Sequence, residues 1–257
     1  MTPILVFDIE TIPDADGLRK LWGLDPAVTD QGVVDLASQR RRQATGSDFL
    51  PAHVQRIVAI SCVMRSDEGI RAWSLGTAQD SERDIVQRFF DGIEKYTPQL
   101  VSWNGATFDL PVLHYRAFFH GIAGCCYWDV GDNNREFKYN NYLARFHTRH
   151  IDLMDMLAGY NNRAWAPLDE IARLAGLPGK LGMEGAEVYP AYLRGEIGAI
   201  RDYCETDVAN TYLLFLRFQL IRGVITSDEY GKELELFRSW LASQESRHWK
   251  EFAAAWK

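Results

Sequence analysis

Sulfur is scarce: four cysteines in 257 residues. Cys62, Cys125, Cys126 and Cys204 form no C-x-x-C pair, and the adjacent Cys125 and Cys126 lack zinc-ligand spacing. A reduced, cytoplasmic setting is expected. Long apolar runs are missing too. None approaches the roughly 20 residues that span a bilayer, and the N-terminus has no basic stretch leading into an apolar one, so neither membrane insertion nor export is expected. Basic charge is outnumbered, 28 Lys and Arg against 35 Asp and Glu, a net charge of −7. That argues against broad nucleic-acid binding through a basic surface, but not against an enzyme whose excess acid sits in a metal site. What is present, 47% hydrophobic residues, suffices for one well-buried α/β domain.

"PILVF", "RIVAISCVMR" (56–65) and "GIRAWSLG" (69–76) read as strands, the last two joined as a hairpin by the turn-like "SDEG". "SERDIVQRFFDGIEKY" opens with a Ser81-x-x-Asp84 capping pair and carries Ile85, Phe89, Phe90 and Ile93 at helical spacing. "QLVSWNG" is a further strand, and the chain after Pro167 is mostly helical. The order predicts a mixed β-sheet flanked by α-helices, a single domain with insertions. Residues 12–52 and 121–147 are those insertions, without a clean period and longer than ordinary connections. Arg40, Arg41 and Arg42 in the first form the only compact basic run, expected as a solvated face. The tail carries Leu234, Phe237, Leu241, Trp249, Phe252 and Trp256 at helical spacing. It is expected to pack on the domain, with self-association through this C-terminal helix as the alternative.

Carboxylates punctuate the apolar segments. In "LVFDIETIP", alternation puts Asp8 and Glu10 on one face of a strand, where two anions repel unless a cation lies between them. The bland alternative ends the strand near Phe7 and leaves both in water. In "NGATFDLPVL", Asp109 opens a helix, as a metal ligand or simply as an N-cap, and Asn104-Gly105 reads as a turn. In "DYCETDV", Tyr203 and Asp207 stand four apart on a helix and share a face.

The three motifs in this order resemble those of the DEDDy 3′-5′ exonucleases of the ribonuclease H-like (DnaQ-like) fold, most closely the stand-alone bacterial proteins related to the exonuclease domain of family B DNA polymerases. The likeness spans about residues 3–223, which implies an exonuclease domain over 1–223 and a helical extension over 224–257. At this length no polymerase palm, fingers and thumb are expected. The histidine class of these enzymes needs a histidine where this chain has Asp202, which favours the tyrosine class.

The resemblance implies that Asp8, Glu10, Asp109 and Asp207 hold two divalent ions, Mg2+ or Mn2+, that Tyr203 orients the attacking water, and that the substrate is the 3′ end of single-stranded nucleic acid, DNA favoured over RNA. An exoribonuclease and a catalytically idle binding module of the same fold are the alternatives. Asn104 and Phe108 are candidates for the terminal nucleotide, though a turn and core packing compete. Lys180, in "GLPGKLGMEGAEVY", is a candidate phosphate contact against a solvated loop lysine. The six histidines lie outside the motifs, and His147-x-x-His150 near Asp152 is a faint metal candidate.

Overall fold

Side chains alternate along the first strand, and that alternation divides the interior into two layers. The computed structural model describes residues 2–256. Strands β1 (Ile4–Pro13), β2 (Gln55–Ser66), β3 (Gly69–Ser74), β4 (Gln99–Ser102) and β5 (His150–Asp152) lie in the order β3-β2-β1-β4-β5. β1 to β3 are antiparallel neighbours, as the hairpin reading anticipated, while β4 and β5 run parallel to β1. The sheet is the mixed one expected, with helices on both faces. β5, three residues long, was too short to announce itself.

Eleven α-helices are found among the described residues: α1 (Ala15–Trp22), α2 (Asp30–Thr45), α3 (Glu82–Tyr96), α4 (Asp109–His120), α5 (Cys125–Trp128), α6 (Leu153–Leu157), α7 (Leu168–Leu174), α8 (Val188–Leu193), α9 (Ile197–Ile221), α10 (Ser227–Ala242) and α11 (Arg247–Ala255). Leu5, Phe7 and Ile9 of β1 face α3 and α4, packing with Phe89, Ile93 and Leu113. Val6 faces the other way and joins Tyr212 and Phe215 of α9, Phe237 of α10 and Phe252 of α11. Asp8 and Glu10 share the Val6 face, so both look toward α9.

The strand does not end near Phe7. β1 continues to Pro13, and Glu10 is buried within it. The first insertion is not a structureless loop either. Asp14 and Thr29 cap α1 and α2, and Leu18, Val33, Ala37, Leu50 and Val54 form a small core of their own. α2 escapes a periodicity reading because its buried face is only Val33, Val34 and Ala37. A buried Arg116 of α4 bridges Asp14 at 2.6 Å and also pairs with Glu82, locking the insertion to the domain. The arginine run is occupied locally: Arg40 lies over the Trp22 ring, Arg41 Nε donates to the Phe49 carbonyl and Arg42 pairs with Asp48. The second insertion is turn-rich as expected, pinned by Asp129, whose carboxylate accepts four successive backbone N–H groups from residues 131 to 134.

α9 is apolar nearly all round because α7, α10 and α11 cover the side that the sheet does not. The tail's apolar stripe is taken up by this contact, with Phe237, Leu241, Trp249, Phe252 and Trp256 all buried. Two polar links reinforce it: Arg65 of β2 grips Glu233 of α10 through two bonds of 2.7 and 2.8 Å, and His248 of α11 sits between Asp202 and Glu205. All four cysteines are free, and no helix among the described residues is long and apolar enough to cross a membrane. Phe252→Ala should cost about 3–5 kcal/mol in chemical denaturation, and the exposed Phe118→Ala less than about 0.5 kcal/mol. A small loss for Phe252→Ala would show that α11 lies outside the cooperative core.

Candidate active site

At the C-terminal ends of the parallel strands β1 and β4 lies a cleft of about 500 Å³, which Asp8, Glu10, Asn104, Phe108, Asp109, Lys180, Tyr203 and Asp207 all line. Open α/β sheets gather ligands at this edge. These eight candidate residues are therefore brought to one place.

Three segments deliver the acids. β1 supplies Asp8 and Glu10, whose oxygens lie within 4.8 Å of one another and of the Cys204 sulfur. Asp109 comes from the first turn of α4. It does not cap its own helix, as the bland reading supposed; the residue before it takes that position without a side-chain bond. Its carboxylate accepts the N–H of Ile9 at 3.2 Å, tying α4 to the strand between the other two acids. The preceding turn is tight. A Cβ at Gly105 would stand 2.3 Å from Ser102 Oγ, Asn104 has φ of +66°, and the buried Asp152 receives the N–H groups of Asn104 at 3.0 Å and Ala106 at 2.9 Å. Asn104 is thus the turn residue it was read as, while also lining the cleft.

α9 supplies Tyr203 and Asp207. Asn210, on the same face and wholly buried, both donates to the Gly179 carbonyl at 2.8 Å and accepts its N–H at 3.2 Å. Gly179 has φ of +72° and a Cβ there would meet Asp169 Oδ1 at 2.6 Å, so only glycine fits. The grip aims the next residue inward. Lys180 is not a solvated loop lysine: its ammonium stands 2.9 Å from Asp207 Oδ2, donates to the Tyr203 hydroxyl and lies over the Tyr203 ring.

Electrostatically, one ammonium faces four carboxyl groups. Burial, then Asp207, pushes Asp8 up to about 7, with Lys180 pulling it back. Burial followed by Asp8 raises Glu10 and Asp109 well above the carboxylate range. Burial raises Asp207 too, against the pull of Lys180 and the Tyr203 hydroxyl. Lys180 itself loses by burial but gains more from Asp207, Asp8 and Glu10, and stays charged. Tyr203 is pushed up by burial and by the same acids, so its phenol keeps its proton. Asp207 Oδ1 is buried without a hydrogen-bond partner. Crowded, desolvated carboxylates and an unmatched carboxylate oxygen form a hard-oxygen donor set that fits Mg2+ or Mn2+.

A family described as a predicted 3′-5′ exonuclease related to the exonuclease domain of PolB matches residues 47–256. The chain belongs to this family. The match takes in Asp109, Lys180, Tyr203 and Asp207; β1, with Asp8 and Glu10, precedes it. The chain is 27% identical over 136 residues to a DNA polymerase of Archaeoglobus fulgidus, covering 52% of this chain and 17% of that one. It is also 27% identical over 150 residues to the catalytic subunit of DNA polymerase epsilon from Kluyveromyces lactis, covering 54% of this chain and 6% of that one. A solved family B DNA polymerase from Pyrobaculum calidifontis aligns over 82% of this chain and 24% of that one, with 15% identity and a TM-score of 0.46.

Other cleft residues escaped the sequence reading. Trp103 and Trp165 line the cleft, their indole N–H groups fixed by the Ala166 carbonyl and Asp155. Cys204 hides inside the third motif, its thiol donating to the Asp8 carbonyl at 3.5 Å. Nothing in the spacing marks a cysteine one residue past a tyrosine as a partner of a distant strand. The faint His147-x-x-His150 candidate has no metal geometry: His150 bonds Ser102, His147 accepts from the Asn141 N–H, and Asp152 serves the turn.

Because Glu10 has a higher pKa in the folded protein than in the unfolded chain, its contribution is favourable below the ordinary carboxylate pKa, about 4, and is lost as pH rises toward the folded value. Glu10→Gln removes that loss. In EDTA the variant should match the parent's stability at pH 4 and exceed it by on the order of 1–3 kcal/mol at pH 8, read from denaturant midpoints. A variant less stable at pH 8 would contradict the crowding account.

Proposed function

We propose that the protein is a metal-dependent 3′-5′ exonuclease that releases 5′-mononucleotides from single-stranded nucleic acid, with DNA favoured over RNA. The observation that carries this reading is the convergence of four carboxyl groups from three separate segments on one cleft with a single ammonium among them. An idle binding module would gain nothing from that crowding, since buried like charges cost stability.

Asp8, Glu10, Asp109 and Asp207 would hold the two divalent ions. When bound, such ions stabilise charge on the phosphoryl oxygens and activate water. The protein's own groups do the rest. Tyr203, kept protonated, is a hydrogen-bonding group that orients the attacking water and not a base. Lys180, kept charged, is positioned to donate to a non-bridging phosphate oxygen as negative charge builds. Asn104 and Phe108 flank the terminal nucleotide, Phe108 offering a ring to its base. Water attacks the terminal phosphorus, its oxygen forming the new P–O bond while the bond to the 3′-oxygen of the penultimate nucleotide breaks. That oxygen leaves with a proton, giving a 5′-mononucleotide and a strand one residue shorter. The polymerase relatives support DNA as the polymer.

The test is digestion of matched 5′-labelled single-stranded DNA and RNA with Mn2+, Mg2+ or EDTA. A metal-dependent ladder shortening from the 3′ end is expected, faster on DNA. Asp8→Ala and Asp207→Ala should abolish it with the fold intact, and Tyr203→Phe should slow it by about 10- to 100-fold, as loss of a hydrogen-bonded supporting group does. A faster RNA ladder would reassign the polymer. Undiminished cleavage by both alanine variants would overturn the site assignment.

A further inference from the structure

The cleft does not end at Phe108. Phe49, from the first insertion, packs on the Phe108 ring with centroids 5.2 Å apart. Four residues later His53 packs on Tyr115 of α4 at 5.8 Å. Leu50 and Val54 point into the insertion's own core, which leaves Phe49 and His53 displayed outward. One helical turn along α4, Phe119 stacks on Tyr115 at 6.3 Å, and Phe118 meets Phe119 edge-on at 6.1 Å. The outcome is a strip of rings that begins at the acids and runs outward along α4. Phe49, Tyr115, Phe118 and Phe119 are between 44% and 82% exposed. Aromatic side chains left in water in a row are unusual unless something covers them.

We infer that this strip is a stacking track for the bases of a single strand whose 3′ end lies in the cleft. The inference rests on the exonuclease reading and adds to it the path of the strand upstream of the scissile bond. The track is continuous with the cleft through the shared Phe108 ring, and every nucleobase has a face that an aromatic ring can cover. The ten steps from Asp109 to Phe119 rise about 15 Å along a helix, room for on the order of four stacked nucleotides. A duplex hides its base faces, so the track selects unpaired ends. Charge points the same way. The chain carries a net −7, and the nearby Arg41 Nε is committed to the Phe49 carbonyl, so affinity comes from stacking more than from phosphate contacts. Binding should accordingly weaken only slightly as salt is raised.

The experiment uses 5′-fluorescein oligothymidylates, a trinucleotide and a dodecanucleotide, titrated by anisotropy in EDTA against the parent protein and Tyr115→Ala/Phe119→Ala. Both side chains are exposed and neither lines the acidic cleft, and an unchanged melting curve checks the fold. The double variant should bind the dodecanucleotide about tenfold more weakly or worse and the trinucleotide as well as the parent does. Equal dodecanucleotide affinity in parent and variant would overturn the track, and hydrolysis by the parent would then leave the exonuclease reading standing. Track-dependent binding by a parent that hydrolyses nothing would keep the track and sink the exonuclease. A parent dimer that the variant converts to monomer would assign the strip to a second copy of the chain and overturn the proposal.

Discussion

The repulsion among four carboxyl groups around one ammonium is the constraint on which the rest of this structure depends. Carboxylates placed this close and this dry are unfavourable until cations are bound, and a flexible frame would simply let them move apart. The frame is therefore rigid where the acids attach. Asp8 and Glu10 are held inside a strand paired with β2 along its whole length, Asp109 is bonded to the backbone between them, and Tyr203 and Asp207 lie on a 25-residue helix buried beneath two others. Each attachment resists the drift that electrostatics favours.

A division of labour between the two faces of β1 makes this arrangement tolerable. The face carrying Leu5, Phe7 and Ile9 is wholly apolar and buries aromatic rings from α3, supplying hydrophobic stabilisation without polar compromise. The face carrying Val6 begins the same way, against α9, and only beyond Val6 does it turn acidic. The transition coincides with the point where β4, paired with Ile4 to Val6, ends and turns into α4. The cleft opens where the neighbouring strand stops, so the acids gain access to solvent without losing the core behind them.

How much of this could be read from the sequence depended on how local the cause was. The hairpin and α3, with its Ser81–Asp84 box, were legible because alternation, spacing and capping act within a few residues. The acids were legible as a set only through their order, since each motif alone has an innocent reading. Asp109 shows why: an aspartate at a helix start is usually a cap, and only the contact with Ile9, 100 residues away, separates the two cases. The placement of Lys180 was hidden for the same reason. It is decided by Asn210, Gly179 and Asp169, three residues whose cooperation exists only once α7 and α9 are packed together. The helices of the first insertion were missed on other grounds. Their buried faces are narrow and match a small satellite core, leaving too weak a period to detect.

Lys180 also determines what Asp207 can do. A carboxylate has two oxygens, and an ammonium at 2.9 Å from Oδ2, together with the Tyr203 hydroxyl beside it, fixes the rotation of the group. Oδ1 is left buried and unmatched. A free carboxylate could swing to present both oxygens; this one, held at Oδ2, would have only Oδ1 to offer a cation. The same lysine lowers the electrostatic strain of the cleft, since among the described residues that line it Lys180 is the one cation, and it pulls Asp8, Glu10 and Asp207 back against the upward push of burial. Replacing it by methionine would remove both effects at once. Asp207 would be free to rotate, and its pKa would rise further, because the charge that holds it down is gone. Loss of activity in such a variant should thus be accompanied by a weaker response to Mn2+ at low pH than at high pH, where the acids ionise without help. A phosphate contact alone would leave metal affinity untouched at every pH, so Mn2+ titrations of Lys180→Met across pH separate the two roles.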